Sequence, residues 1–152
     1  MTILVVVSCG ARKVWDVNPS IGFTMARDAY VGGFFRLNRE YAERFGDRWV
    51  ILSAKYGFIN PDFIIPENYN VTFKKRSTNP ISISQLREQA VREQLNRFDK
   101  IVVLGGHVYA NIVREVFKEF SVKIEAPLEG LPIGKAMAKL REALKKNKPF
   151  DC

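Results

Sequence analysis

The sequence predicts a three-layer α/β fold, Rossmann-like in the broad sense, with a mainly parallel sheet of four strands (five with a short extra one) flanked by helices. Strand-length apolar runs recur at Ile3 to Val7, Val50 to Leu52, Ile101 to Leu104 and Val122 to Ala126. The first three are continuously apolar, as strands covered on both faces are, and stretches with a 3.6-residue apolar period lie between the runs. Each run also empties into polar residues or glycine. If the strands lie parallel, these turns gather at the carboxyl edge of the sheet, where open α/β folds bind ligands.

The first strand runs into Ser8-Cys9-Gly10-Ala11-Arg12-Lys13 and a long connection to Tyr30. In the first helix Phe34, Leu37, Tyr41 and Phe45 share one face, Arg36, Arg39, Glu40, Glu43 and Arg44 the other, and Gly46 is a natural stop. The second strand ends in Ser53-Ala54-Lys55-Tyr56-Gly57. The segment 60–81 that follows is too long for a simple link. Its prolines Pro61, Pro66 and Pro80, with Phe63, Ile64, Ile65, Tyr69 and Phe73, favour an ordered flap over the site, with a short extra strand around Asn70 to Phe73. Ser82 and Gln85 form a capping box that opens a second helix, continuing through Leu86, Ala90, Leu95 and Phe98. The third strand leads into Gly105-Gly106-His107 and a helix carrying Ile112, Val113, Val116, Phe117 and Phe120. The fourth leads through Pro127-Leu128-Glu129-Gly130 into a helix carrying Met137, Leu140 and Leu144.

At 152 residues and 47% hydrophobic, the chain fits a single domain, 1–152, with a core that needs no staples. Its two cysteines, Cys9 and Cys152, make no disulfide framework, and no secretory leader opens the chain. The expectation is a reducing, cytoplasmic setting, with no apolar run long enough to span a membrane. A net charge of +8 directs it toward anionic partners, whether nucleotides, phosphorylated metabolites or nucleic acid. Lys74-Lys75-Arg76 and the last helix, from Lys135 to Lys148, are the densest basic stretches, and a solvated lysine-rich surface is the alternative for that helix.

His107 is the single histidine, and no ligand pattern for zinc is present, so neither a metal nor another cofactor is expected. Neither a dinucleotide fingerprint nor a P-loop opens a strand-to-helix turn. The presumed site collects Ser8, Cys9, Gly10, Arg12, Lys13, Ser53, Lys55, Tyr56, Asp62, Gly105, Gly106, His107, Tyr109 and Glu129. Gly105 and Gly106 precede a helix whose free N–H groups suit a phosphate or carboxylate, with Arg12 or Lys13 adding charge, or they only make a tight turn. Lys55, just after a buried strand, is a candidate for a desolvated base, Schiff-base nucleophile or clamp, against an exposed cap or a partner for Asp62. Glu129, between leucines, is a candidate acid or base whose pKa burial would raise, or else a group favouring the start of the last helix. Cys9 is a candidate thiolate beside basic residues, or a small buried filler.

The combination of Ser8-Cys9-Gly10 with Arg12-Lys13, Tyr30 with Gly32 and Phe35, Ile51 through Asp62, and Pro127 through Gly134 resembles a family of small uncharacterised domains of unknown function. That family is itself similar to the YaaA peroxide-stress proteins over the middle strand, the flap and the turn from Val102 to Tyr109. The resemblance implies a role near nucleic acid, since YaaA proteins are regarded as DNA-binding factors that limit oxidative damage, and an unassigned activity. This sequence differs from them at Ala54-Lys55, where they carry Gly-Leu, and at Tyr69-Asn70, where they tend to carry Tyr-Arg.

The leading expectation is an enzyme-like domain that binds a nucleotide, nucleoside or modified base, free or within nucleic acid. Lys55, Glu129 and Cys9 are the catalytic candidates for a metal-independent lyase or an N-glycosidase-type hydrolase or transferase. A noncatalytic DNA- or RNA-binding stress protein using Lys74, Lys75, Arg76 and the C-terminal helix is the rival. A thiol redox sensor through Cys9 ranks third.

Overall fold

In the computed structural model, which describes residues 1–150, the chain begins with β1 (Ile3–Ser8), α1 (Val14–Val17), β2 (Thr24–Met25), α2 (Ala26–Ala29) and α3 (Gly33–Phe45). It continues through β3 (Arg48–Ser53), β4 (Gly57–Ile59), β5 (Ile64–Ile65), α4 (Ile83–Arg92) and β6 (Lys100–Leu104). The last elements are α5 (His107–Phe117), β7 (Lys123–Glu125) and α6 (Ile133–Lys146). Cys152 lies outside the described residues.

Five strands form one sheet in the order β4-β3-β1-β6-β7. Central β1 pairs in parallel with β3, Val6 opposite Val50, and with β6, Val6 opposite Val103. β7 lies parallel to β6, and β4 turns back antiparallel on β3. Successive side chains of a strand point to opposite faces, so β1 serves two layers. Val5 and Val7 join Phe35, Tyr41 and Ala42 of α3 and Leu140 of α6, whereas Leu4 and Val6 join Leu86 and Ala90 of α4 and Val113 and Phe117 of α5. Each such fully buried side chain contributes roughly 1.5–3 kcal/mol relative to exposure, which is why the central positions of β1, β3 and β6 are apolar on both faces.

The fifth strand of the sheet is β4, formed because the chain reverses immediately after Lys55 and Tyr56. Gly57 takes the left-handed conformation the reversal needs, with φ +79°. The Gln89 carboxamide of α4 clamps the turn, accepting from the Phe58 N–H at 2.9 Å and donating to the Tyr56 carbonyl at 2.8 Å.

Three expectations are corrected. The second helix stops at Arg92: Gln94 adopts φ +60° and Leu95–Arg97 form one 3₁₀ turn, so Leu95 is buried without extending the helix. Phe120 likewise lies beyond the end of α5. Asn70 to Phe73 is not a strand; the extra pairing is β5 with β2, antiparallel, which zips the two long connections together. Two-residue strands are too short for a periodicity to announce them. Among the described residues no helix is long and apolar enough to cross a membrane.

Asn38 of α3 is fully buried, and neither its amide nitrogen nor its oxygen has a hydrogen-bond partner among the described residues. An unsatisfied buried polar group costs about 1–3 kcal/mol. Asn38→Leu, of similar volume, is therefore expected to raise the midpoint of thermal unfolding by several degrees, measured by calorimetry.

Candidate functional site

The connection after β1 leads to α3, on one face of the sheet, and the one after β6 leads straight into α5, on the other. Their diverging paths open a crevice at the carboxyl edge, the position where open α/β sheets hold ligands. A cleft of about 720 Å³ lies there. Of the residues expected at the site, Ser8, Cys9, Gly10, Arg12, Lys13, Gly106, His107 and Tyr109 line it. Ser53, Lys55, Tyr56, Asp62, Gly105 and Glu129 do not form its wall.

The charge of the cleft is one-sided. Arg12, Lys13 and Lys74 face it, and no carboxylate does. Lys13 is only 8% exposed and forms no ion pair among the described residues; its ammonium lies 3.4 Å from the Ala11 carbonyl and 4.6 Å from the centre of the Tyr69 ring. The loop is fixed beneath it by the Asp16 carboxylate, which accepts from the Lys13 N–H at 2.8 Å, and by a bridge to Tyr30.

Three helices begin on this wall. The first turns of α3, α5 and α6 contribute Gly33, His107 and Ile133 to the lining. Their N-cap residues are Gly32, Gly106 and Pro132; none gives a side-chain cap, and none of the three first turns contains an acidic residue. By contrast α4, which starts elsewhere, has its Ser82–Gln85 capping box complete. Uncapped helix starts leave backbone N–H groups free and concentrate the positive end of the helix dipole.

The two glycines after β6 divide their roles. Gly105 is buried, and a Cβ there would stand 2.8 Å from the Cβ of Ser8, so it is needed for the close approach of the β1 and β6 ends. Gly106 is exposed, meets nothing at its Cβ position and lines the cleft.

Behind the wall lies a hydroxyl network. Ser53 Oγ accepts from the N–H groups of Lys55 and Tyr56, each at 3.2 Å. With both lone pairs engaged, it donates to the Tyr69 hydroxyl at 3.0 Å, and Tyr69 shares a 2.5 Å hydrogen bond with Tyr30. Burial, with Cys9 nearby, pushes the Tyr69 phenol up to about 12, and burial raises Tyr30 and Tyr109 as well. Burial also raises the Cys9 thiol, more than its 3.3 Å contact with the Tyr109 hydroxyl and the charge of Lys13 lower it. The basic neighbours of Cys9 thus do not produce the thiolate that their proximity in the sequence suggests.

Lys55 and Glu129 depart from their expected environments. Lys55 is exposed, because the hairpin to β4 carries it off the strand end. Its ammonium lies over the rings of Tyr56 and Tyr69 at 5.3 and 5.7 Å. Glu129 is gripped by Arg114 of α5 at 2.6 and 2.9 Å and lies 2.7 Å from His107 Nδ1. The Arg114 guanidinium holds its carboxyl down to about 2, opposite to the direction burial alone would give. Asp62 is exposed in the turn after β4. Among the described residues no group of three or more His, Cys, Asp or Glu could hold a metal ion.

Residues that sequence reasoning left out of the site are Tyr69, which joins the wall to the network, and Arg114. Tyr69 had a signal in the resemblance, as the first residue of the Tyr-Asn pair. Arg114 lies seven residues after His107, a spacing that places both on one helix face.

The chain belongs to a family described as a family of unknown function (DUF6884), which matches residues 4–142. It is similar to the uncharacterized protein YfjM of Bacillus subtilis (strain 168), 38% identical over 116 residues, covering 76% of this chain and 77% of that protein. No solved structure matches it.

Two predictions follow from this geometry. Gly105→Ala is expected to lower stability by about 1–3 kcal/mol through overpacking against Ser8, whereas Gly106→Ala leaves it nearly unchanged in denaturant titrations. The Glu129 carboxyl, depressed from 4.5 to about 2, favours the folded state above pH 4.5, a contribution lost as the pH falls toward 2. Removing its partner with Arg114→Met is accordingly expected to lower the unfolding midpoint modestly at neutral pH, the difference from wild type shrinking below pH 4.5.

Proposed function

We propose that this protein binds a nucleotide or a similar phosphorylated small molecule in the cleft at the carboxyl edge of its sheet. The reading is carried by Lys13, a nearly buried lysine without an acidic partner among the described residues, in a wall that contains three cations, no carboxylate and three uncapped helix starts. An anion supplies the counter-charge that this wall lacks and accepts from its free N–H groups. The aromatic rings of Phe34, Phe35, Tyr69 and Tyr109 give the same cleft an apolar side suited to a base or another flat group.

In this reading the Gly106 turn and Lys13 hold the anion, and the segment 60–81 is the rim. That segment reaches the cleft through Tyr69 to Thr72 and Lys74. It is anchored to the body by the Tyr69 hydroxyl and by the Phe73 ring, 5.8 Å from that of Tyr109. Lys55, outside the wall, is a neighbour of Tyr69 rather than the reacting group. An enzymatic role fits a cleft of this size with an imidazole, that of His107, in its lining.

The second reading, a nucleic-acid-binding protein related to the YaaA group, draws on Lys74, Lys75 and Arg76, all exposed and beginning at the edge of the cleft. A polyanion bound there would lose affinity steeply with added salt.

Thermal unfolding against nucleotides, pyrophosphate and short DNA or RNA separates the two. A pocket ligand present at a hundred times its Kd stabilises by about 2.7 kcal/mol, or roughly 5–10 °C for a chain of this size. We expect such a shift with a nucleotide or pyrophosphate, its loss in Lys13→Met, and its retention in Lys55→Ala. Stabilisation by DNA or RNA alone, abolished by charge reversal at Lys74, Lys75 and Arg76 but indifferent to Lys13, would establish the second reading instead.

A further inference from the structure

We propose that His107, held by Glu129, presents the lone pair of its Nε2 to the cleft and is the proton acceptor for a water or hydroxyl group at the anionic end of the bound ligand. The inference rests on the cleft being an anion site, as proposed above. It assigns a catalytic role to the single histidine of the chain, with a phosphorylated small molecule as the ligand class.

The contacts of Glu129 determine which nitrogen is free. Its two oxygens accept from Arg114, 2.6 Å to Oε1 and 2.9 Å to Oε2, and Oε2 also lies 2.7 Å from His107 Nδ1. Paired with a guanidinium in this forked geometry, the carboxyl is ionised at neutral pH and can only accept. The low pKa of Glu129 agrees with this. Nδ1 must therefore carry the hydrogen, and in the neutral imidazole Nε2 keeps its lone pair. A base oriented by a carboxylate on its other nitrogen is a recurring arrangement for proton abstraction.

The dyad is built to hold its position. His107 is the first residue of α5, and Arg114 grips the same carboxylate from two turns further along that helix. Glu129 sits in a tight turn, its N–H donating to the Ala126 carbonyl, with Leu128 buried and Gly130 at φ +80°. Glu129 and Arg114 are positioning residues; His107 alone of the three lines the cleft.

Elimination within the wall leads to the same residue. Arg12, Lys13 and Lys74 are cations, the Cys9 thiol is raised by burial and bonded to Tyr109, and the phenols of Tyr69 and Tyr109 are raised too. None of these accepts a proton readily near neutrality. His107 is the one imidazole in this wall, and its side chain is 73% exposed, open to water and ligand. It shares its helical turn with the free α5 amides, which places the base at the anionic end of the ligand. When Nε2 takes the proton, the imidazolium is stabilised by the ionised Glu129 beside it.

A single histidine makes the test unambiguous. Protein labelled with ¹⁵N in that ring is expected to show the Nδ1–H tautomer at neutral pH, with a shift toward the Nε2–H form of free imidazole in Glu129→Leu. Pyrophosphate is expected to move the Nε2 resonance. It should also slow reaction of the ring with diethyl pyrocarbonate about tenfold when it occupies roughly nine-tenths of the sites. An Nε2–H tautomer in the wild type overturns the proposal. So do an Nε2 signal and a modification rate that ignore pyrophosphate while calorimetry shows it bound in a Lys13-dependent way, a result that leaves the anion cleft standing. Pyrophosphate that fails to bind removes both.

Discussion

The rest of the structure depends on the parallel pairing of β1 with two neighbours at once. Its register with β3 and β6 puts the ends of β1 and β6 side by side, close enough that only a glycine fits at position 105 against Ser8. Because a strand sends alternate residues to opposite faces, the same pairing requires helices on both sides of the sheet. The segments leaving β1 and β6 then diverge, and a cleft opens at their parting. Its location is a consequence of topology, before any side chain in it is considered.

Once the cleft is there, its charge follows from where the carboxylates are bound. Asp16 accepts from the loop under Lys13, Glu129 is paired with Arg114 and His107, and Glu125 lies with Lys100 and Lys123 away from this wall. The cleft is left with cations and bare helix starts, an electrostatic surplus that a protein of net charge +8 does not neutralise from within. The dipoles of three helices add to that field because α3, α5 and α6 all begin at the carboxyl edge, as helices following parallel strands do.

The two long connections are the less regular part; they send Trp15, Ala26, Ala29 and Ile65 into the core shared with β1 and α3 and are tied to each other by local bonds. The β2–β5 pairing joins them, and the Tyr30–Tyr69–Ser53 hydroxyls tie both to the end of β3. The edge of the cleft is thus linked to the sheet through buried phenols, whose deprotonation burial disfavours. Tyr69 is central to this arrangement. Its ring faces the ligand space and the ammonium of Lys13, while its hydroxyl anchors the segment.

The sequence by itself determined the layers, the parallel strands, the helix faces and the edge at which the polar turns gather, because apolar runs and a 3.6-residue period are local records of burial. It also marked Lys13, Gly106 and His107, which follow strand ends directly. What only the tertiary structure decided was which charged groups are neutralised. The reversal into β4 exposes Lys55, whereas the bridge from Lys13 to Tyr30 buries Lys13, and Glu129 meets Arg114 only when two segments distant along the chain come together. A pKa or a free counter-charge is a property of neighbours in space, and composition and spacing along the chain do not encode it.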